Sequence, residues 1–237
     1  MKSVKVRIEK KILSEENYDK IWTIVDFKNM PKLNVLKAFS TLHKTNVIKR
    51  IKRGYYYCAK QTILGETSFD KINFAIAKIK DKSSFYCISG MNAYNQLGFT
   101  TQVANNITIS CDAIARSYEN IKYLNRKKPI DGGAIERIIL DAIIDIKKIP
   151  DTTVEKSILQ IKKLIKENKA NLTSLLKSAI FEPPRVKSLI GAIAQEFDVD
   201  KKLLLKLKKS INPTSMIYLN TGNSLKFYEE WQIKPER

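Results

Sequence analysis

Histidine is almost missing from this 237-residue chain: His43 is the only one. A Ser-His-Asp or Cys-His relay would have to be built on that single imidazole. It falls in a lysine-bearing helical segment, so His-dependent catalysis is not expected. The three cysteines, Cys58, Cys87 and Cys111, lie far apart without CxxC spacing. A zinc site needs several His or Cys ligands at short spacings, and these residues do not supply them. An odd, sparse cysteine set suits a reducing cytosol better than a disulfide framework. Glycine is scarce too, at eight residues, and neither GxxxxGK[ST] nor GxGxxG occurs, which leaves no phosphate cradle. Asp131-Gly132-Gly133 reads as a turn before a helix. The first twenty residues carry Lys2, Lys5, Arg7, Glu9, Lys10 and Lys11 around no apolar run, so no secretory signal is expected. The longest uncharged run, Ser83 to Cys111, is filled with Ser, Thr, Asn and Gln and is not a membrane span. These absences predict a cytoplasmic protein with no His-dependent catalysis, no cofactor, no metal and no membrane partner.

What the chain has in excess is positive charge. Lys+Arg number 43 against 24 Asp+Glu, a formal net of +19, while hydrophobic residues make up 43%. That apolar share is enough to bury a core, and the charge points to a polyanionic partner. The excess is uneven. Residues 1–61 hold 15 Lys+Arg and 5 Asp+Glu, a net of +10, and residues 62–237 hold the other 28 and 19, a net of +9 over nearly three times the length. With no low-complexity linker and no internal repeat, a domain boundary near residue 61 would be short.

The N-terminal quarter reads as helix, helix, helix, hairpin. Val4, Ile8 and Ile12 make one stripe of a helix over Val4 to Leu13. Ile21 to Phe27 is a short apolar segment suited to a second helix. Pro31 fits the start of a third, where its missing N–H costs nothing. In that third helix Val35, Leu36, Phe39 and Leu42 gather on one side, and Asn34, Lys37, Thr41 and Lys44, with Ser40 beside them, gather on the other. Val47 to Ile51 and Tyr55 to Cys58 are β-rich, and Lys52-Arg53-Gly54 lies between them with Gly54 free to take a positive φ. Three helices followed by a basic hairpin is the sequence outline of a winged helix-turn-helix, in which the third helix enters the major groove and the wing meets backbone or minor groove. An amphipathic helix with outward lysines is commonly just a solvated face. Four cations packed at a tight turn (Lys49, Arg50, Lys52, Arg53) are less easily explained, because they repel one another unless phosphates supply counter-charge.

The remainder is expected to be α+β and mainly helical. A turn at Leu64 to Ser68 leads to a helix near Phe69 to Ile79 that Ser68 could cap. Strands are expected at Ser84 to Ile88 and Asn106 to Cys111, with a short helix from Gly90 to Leu97 ended by Gly98. Helical patterns follow at Gly133 to Ile146, Val154 to Ile165, Leu172 to Ile180, Val186 to Phe197 and around Leu203 to Leu207. Asn212-Pro213 breaks the last of these, and Ile217 to Leu219 and Trp231 close the chain against the domain. Asp141 and Asp145, four apart on one helical face, read as a solvated stripe rather than an acid–base pair.

Four stretches stand out: Val47 to Tyr57, the segment Ser89-Gly90-Met91-Asn92-Ala93 through Gln96-Leu97-Gly98-Phe99-Thr100-Thr101-Gln102-Val103, Pro183 to Ala192, and Ser210 to Pro213. They resemble the AbiEi-type antitoxins, winged-helix transcriptional regulators of type IV toxin–antitoxin systems. The chain departs from that pattern at Phe99 and Ala104, where the family has Leu and Pro. The resemblance implies an N-terminal winged helix-turn-helix over 1–61 and an antitoxin-like domain over 62–237. It implies a repressor that binds double-stranded operator DNA of its own operon, a cognate nucleotidyltransferase-like toxin as the second partner, and no catalytic residues, because these antitoxins are not enzymes.

On this reading the DNA-binding residues are Lys32, Asn34, Lys37, Ser40, Thr41 and Lys44 of the third helix and Lys49, Arg50, Lys52 and Arg53 of the wing. One winged unit spans only a few base pairs, so inverted-repeat operators met by two copies or by cooperative binding are expected. The alternatives are a plain transcriptional regulator, or an RNA- or protein-binding module without antitoxin activity.

Overall fold

The computed structural model describes residues 3–14, 19–63 and 65–236, a mixed α+β chain that divides into two compact units, Met1–Ser84 and Phe85–Arg237. In the first, α1 (Val4–Ile12) is capped by Ser3, whose hydroxyl accepts from the Val6 N–H, and it buries Ile8 and Ile12 one turn apart. The expected second helix is replaced by something shorter. Trp22 is extended and exchanges backbone hydrogen bonds with Tyr56, at 2.7 and 3.0 Å. Only Ile24–Phe27 then turns, as a single 3-10 turn. Two causes act together. Ile21, Trp22, Ile24 and Val25 are β-branched or aromatic and lose rotamer freedom in a helix. Thr23 also closes a local box in which its N–H and hydroxyl both donate to Asp26 Oδ2, at 2.8 and 2.9 Å, and this starts the turn only after the extended pair.

Next comes α2 (Lys32–Lys44), preceded by Pro31 at its cap. It ends at Thr45, and Asn46 takes the left-handed conformation (φ 55°) favoured just past a helix end. The Val47 and Ile48 N–H groups both donate back to the Leu42 carbonyl. That reversal feeds directly into the antiparallel pair β1 (Lys49–Lys52) and β2 (Tyr55–Tyr57). The core under them is Ile8, Ile12, Trp22, Phe27, Val35, Ala38, Phe39, Leu42, Ile48 and Cys58, with Trp22 stacked on Phe27 and Phe39 against Tyr56. Leu36, expected in this stripe, is instead exposed, and Ala38 holds the buried position. Val35, Ala38, Phe39 and Leu42 centre the buried arc about 110° away from Leu36 at 100° per residue.

Where a plain turn was expected there is a small ladder, β3 (Gln61–Thr62) with β4 (Gly65–Glu66); Leu64, the first residue of that expected turn, lies outside the described residues. The helix after it, α3 (Lys71–Ala77), is capped by Asp70, not Ser68: one Asp70 carboxylate oxygen accepts from both the Ile72 and Asn73 N–H groups. Phe69 packs tilted against Tyr57 and Phe74 edge-on against Tyr55 of the hairpin. Lys80 reaches Asp26 at 2.7 Å. These contacts tie residues 62–84 to the N-terminal unit, so the division falls at Ser84/Phe85 rather than near residue 61.

The second unit opens with β5 (Tyr86–Ser89) and α4 (Gly90–Gln96), followed by β6 (Ile107–Cys111) and β7 (Ile121–Asn125). They form a sheet of order β5-β6-β7, antiparallel then parallel. β7, unread in the sequence, carries its own signal: Ile121 and Tyr123 are buried and Lys122 between them is exposed, the alternation of a half-covered strand. Five helices follow: α5 (Ala134–Ile144), α6 (Val154–Lys166), α7 (Leu172–Ala179), α8 (Pro184–Ala194) and α9 (Lys201–Lys209). Their apolar stripes share one core with Ala93, Tyr94 and Phe99. The chain closes on the parallel pair β8 (Ile217–Tyr218) and β9 (Ile233–Lys234), with Trp231 laid on the backbone of Gly191. No helix among the described residues is long and apolar enough to cross a membrane.

Candidate nucleic-acid interface

The face of α2 turned away from the core carries the residues the helical pattern placed there. Val35, Ala38, Phe39 and Leu42 are buried, whereas Lys32, Asn34, Lys37, Ser40, Thr41 and Lys44 are exposed. Thr41 is partly spoken for, because its hydroxyl donates to the Lys37 carbonyl at 3.0 Å. This back-bond leaves the oxygen only as an acceptor. His43 is also on the helix, with Nδ1 at 3.3 Å from the Ile48 carbonyl and its ring beside Tyr56. It joins helix to hairpin.

The hairpin presents its cations unequally. Residues alternate across a strand: Arg50 and Lys52 lie outward, Lys49 and Ile51 are half-buried on the other face. Arg53 and Gly54 make the tip, and Gly54 takes φ 87° with open space around it. The inward face explains the fate of Lys49, whose ammonium is ion-paired with Glu66 of β4. Arg50 and Arg53 are exposed and carry no ion pair among the described residues. Burial, with the charge of nearby Lys52 added, pushes the Lys78 ammonium below its ordinary value. Arg50 and Arg53 leave positive charge exposed on the hairpin, a condition that favours an anion arriving there. All ten residues singled out in the sequence lie in α2, or in the hairpin that follows it after four residues and packs on it through Phe39 and Tyr56.

The second unit handles charge in the opposite way. Asp141 is not part of a solvated stripe but is almost wholly buried. Its Oδ2 accepts from the Ser89 and Ser110 hydroxyls at 2.7 and 2.5 Å, and its Oδ1 from Arg126 Nε at 3.0 Å. Arg137 Nη2, one turn back on α5, lies 3.0 Å from the same Oδ1, at ion-pair distance but off the line of a hydrogen bond. Arg137 also donates through Nη1 to Glu182 at 2.6 Å. With its oxygens occupied by these donors, Asp141 works as a fastener between β5, β6 and α5. Asp145 is half-exposed and accepts from the Tyr94 hydroxyl at 3.1 Å. Together with burial, Asp145 pushes the Tyr94 phenol far above its ordinary value. Sequence spacing missed this hub because Ser89 and Ser110 come from other elements, 52 and 31 residues away. Cys58, Cys87 and Cys111 are buried and free of disulfides, and burial with the nearby Asp141 charge pushes the Cys87 thiol up to about 12, so it is protonated and unreactive at neutral pH.

Comparison with known proteins adds a fold and a family. The crystal structure of the RV2827C protein from Mycobacterium tuberculosis is similar over 96% of this chain and 89% of its own length, with a TM-score of 0.53 and 9% sequence identity; at that identity the likeness is one of fold. No curated protein matches the sequence. A profile described as a family of unknown function, DUF6088, matches residues 7–173, well over half of the chain, and the chain belongs to that family.

Proposed function

We propose that the N-terminal unit is a winged-helix DNA-binding domain and that the protein is a transcriptional repressor and antitoxin. The observation that carries the DNA-binding reading is the juxtaposition of the exposed polar face of α2 with a hairpin whose outward cations, Arg50 and Arg53, meet no acidic partner among the described residues. A helix with such a face fits the major groove, and a cationic hairpin beside it fits phosphates or a narrow minor groove. Asn34 and Ser40 offer hydrogen bonds to base edges, while Lys32, Lys37, Lys44, Arg50, Lys52 and Arg53 serve phosphates. Lys49, held by Glu66, contributes less. Six phosphate contacts make affinity fall as roughly the fifth power of salt concentration. The antitoxin role rests on the resemblance of Ser89 to Val103 and Pro183 to Ala192 to the AbiEi-type antitoxins.

The test is a mobility-shift titration on the DNA upstream of the gene, at several salt concentrations. Wild type binds, and Arg50→Ala/Lys52→Ala/Arg53→Ala binds more weakly, with its salt exponent reduced by about 2.7. Equal binding by both proteins removes the hairpin from the interface, and salt-independent binding removes the mechanism. Co-expression with a neighbouring nucleotidyltransferase-type gene tests the second role: rescue of growth supports it, and continued toxicity leaves a plain regulator.

A further inference from the structure

The outward face of α2 is not purely polar. Leu33 is 72% exposed and Leu36 46% exposed. At 100° per residue, Leu33 lies in line with Lys37, Ser40 and Lys44, at steps of four, three and four, and Leu36 flanks it one turn on. Scattered exposed leucines are ordinary. Two adjacent ones near the leading end of this face, where lysines would have served a solvated helix, need an apolar group to meet. The surroundings restrict what that group is. Lys32, Lys37 and Lys44 flank the leucines on the helix, and the hairpin that packs on the helix carries Arg50 and Arg53. An apolar protein surface would have to leave these cations without counter-charge, whereas duplex DNA supplies counter-charge and apolar contact together. On the floor of the major groove the apolar group presented by the bases is the C5-methyl of thymine.

We infer that Leu33 and Leu36 form an apolar ridge that reads thymine methyl groups. This rests on the DNA-binding reading above and specifies its target: a half-site with thymines where the first two turns of α2 enter the groove. The N-terminal part of a recognition helix makes the base contacts, and both leucines lie there. The division of labour on the helix follows. Thr41 has spent its proton on the Lys37 carbonyl, so Asn34 and Ser40 carry the polar readout, and the leucines carry the apolar part.

The experiment uses the full-length protein and the same upstream DNA in three forms: natural, with deoxyuridine replacing thymidine, and with 5-bromodeoxyuridine replacing it. Uracil pairs as thymine does but lacks the methyl, and bromine restores its bulk. Wild type is expected to lose about four-fold in affinity for each contacted methyl removed, the fold-change that about 0.8 kcal/mol per buried carbon group corresponds to, and to regain it on the bromo DNA. Leu33→Ala/Leu36→Ala is expected to bind all three forms alike, at the strength of wild type on uracil DNA. Both side chains are exposed, so the variant keeps its fold, which an unchanged melting curve verifies. Wild type that binds natural and uracil DNA equally overturns the inference while leaving the DNA-binding reading in place. So does a double variant that still discriminates, and so does a self-association that only the double variant loses. Failure of wild type to bind any of the three DNAs, at low salt, overturns both.

Discussion

The two units of this protein carry similar net charge and treat it differently. Residues 1–84 hold 19 Lys+Arg and 8 Asp+Glu, net +11, and residues 85–237 hold 24 and 16, net +8. In the first unit the cations of α2 and of the β1–β2 tip stand in water, and the core is aromatic and aliphatic. In the second, Arg137 and Asp141 are drawn inside with Arg126, Ser89, Ser110 and Glu182, and Lys162 is nearly buried against Glu196 at 2.7 Å. Net charge alone therefore says little about where a polyanion would bind. Surface cations cost little stability and remain available to a partner, whereas interior ones are committed to the fold.

Breaking the interior network should have the largest effect. Asp141→Ala leaves Arg137 buried without its adjacent carboxylate and orphans two serine hydroxyls. The second unit should lose about 3–5 kcal/mol, read as a lowered denaturant midpoint. One tryptophan lies in each unit, Trp22 and Trp231, so fluorescence of single-Trp variants separates the two transitions. If the loss is no larger than that of an exposed residue, the hub is not a fastener.

Gly191→Ala comes next. A Cβ there would fall 2.1 to 2.4 Å from the Trp231 ring. Overpacking of this kind costs typically 1–3 kcal/mol, and the Trp231 emission should shift as the indole is displaced.

Acid provides a smaller and opposite-sided probe of the first unit. Burial works to raise the Asp26 carboxyl, but the hydrogen bonds from Lys80 and Thr23 and the Lys80 charge outweigh it, so the group sits below its ordinary 3.8. A lowered folded pKa means that the contribution is complete above the unfolded value and is lost as pH falls through the folded one. Stability followed through Trp22 should therefore decline below about pH 4, and Asp26→Asn should be less stable at neutral pH and flatter in that window. The smallest change completes the comparison: Arg50→Ala/Lys52→Ala/Arg53→Ala should alter the melting of the first unit by less than about 0.5 kcal/mol per site while weakening DNA binding.

The elements legible in the sequence are those whose signal is local. The stripes of α5 to α8 and the outward face of α2 follow from spacing alone, and the hairpin follows from β-rich runs around Gly54. The elements that were not legible depend on distant partners. Residues 21 to 27 carry enough apolar residues for a helix, but Tyr56 claims the backbone of Trp22, and Thr23 and Asp26 then allow only one short turn. Lys49 looks identical to Arg50 until Glu66, 17 positions later, folds back beside it. Asp141 reads as a surface residue because charged residues four apart on a helix usually are; the sheet that covers it comes from elsewhere in the chain.

The hairpin's attachment has a consequence for how it could change. Its root is riveted to the interior by the paired amides of Trp22 and Tyr56 and by the ring of Phe39, while at the loop a side chain on Gly54 would meet no described atom within 4 Å. Residues added at that loop would lengthen the cationic finger without disturbing the helix beside it. On the DNA-binding proposal, its reach along a duplex could then be altered independently of what the neighbouring groove is asked to recognise.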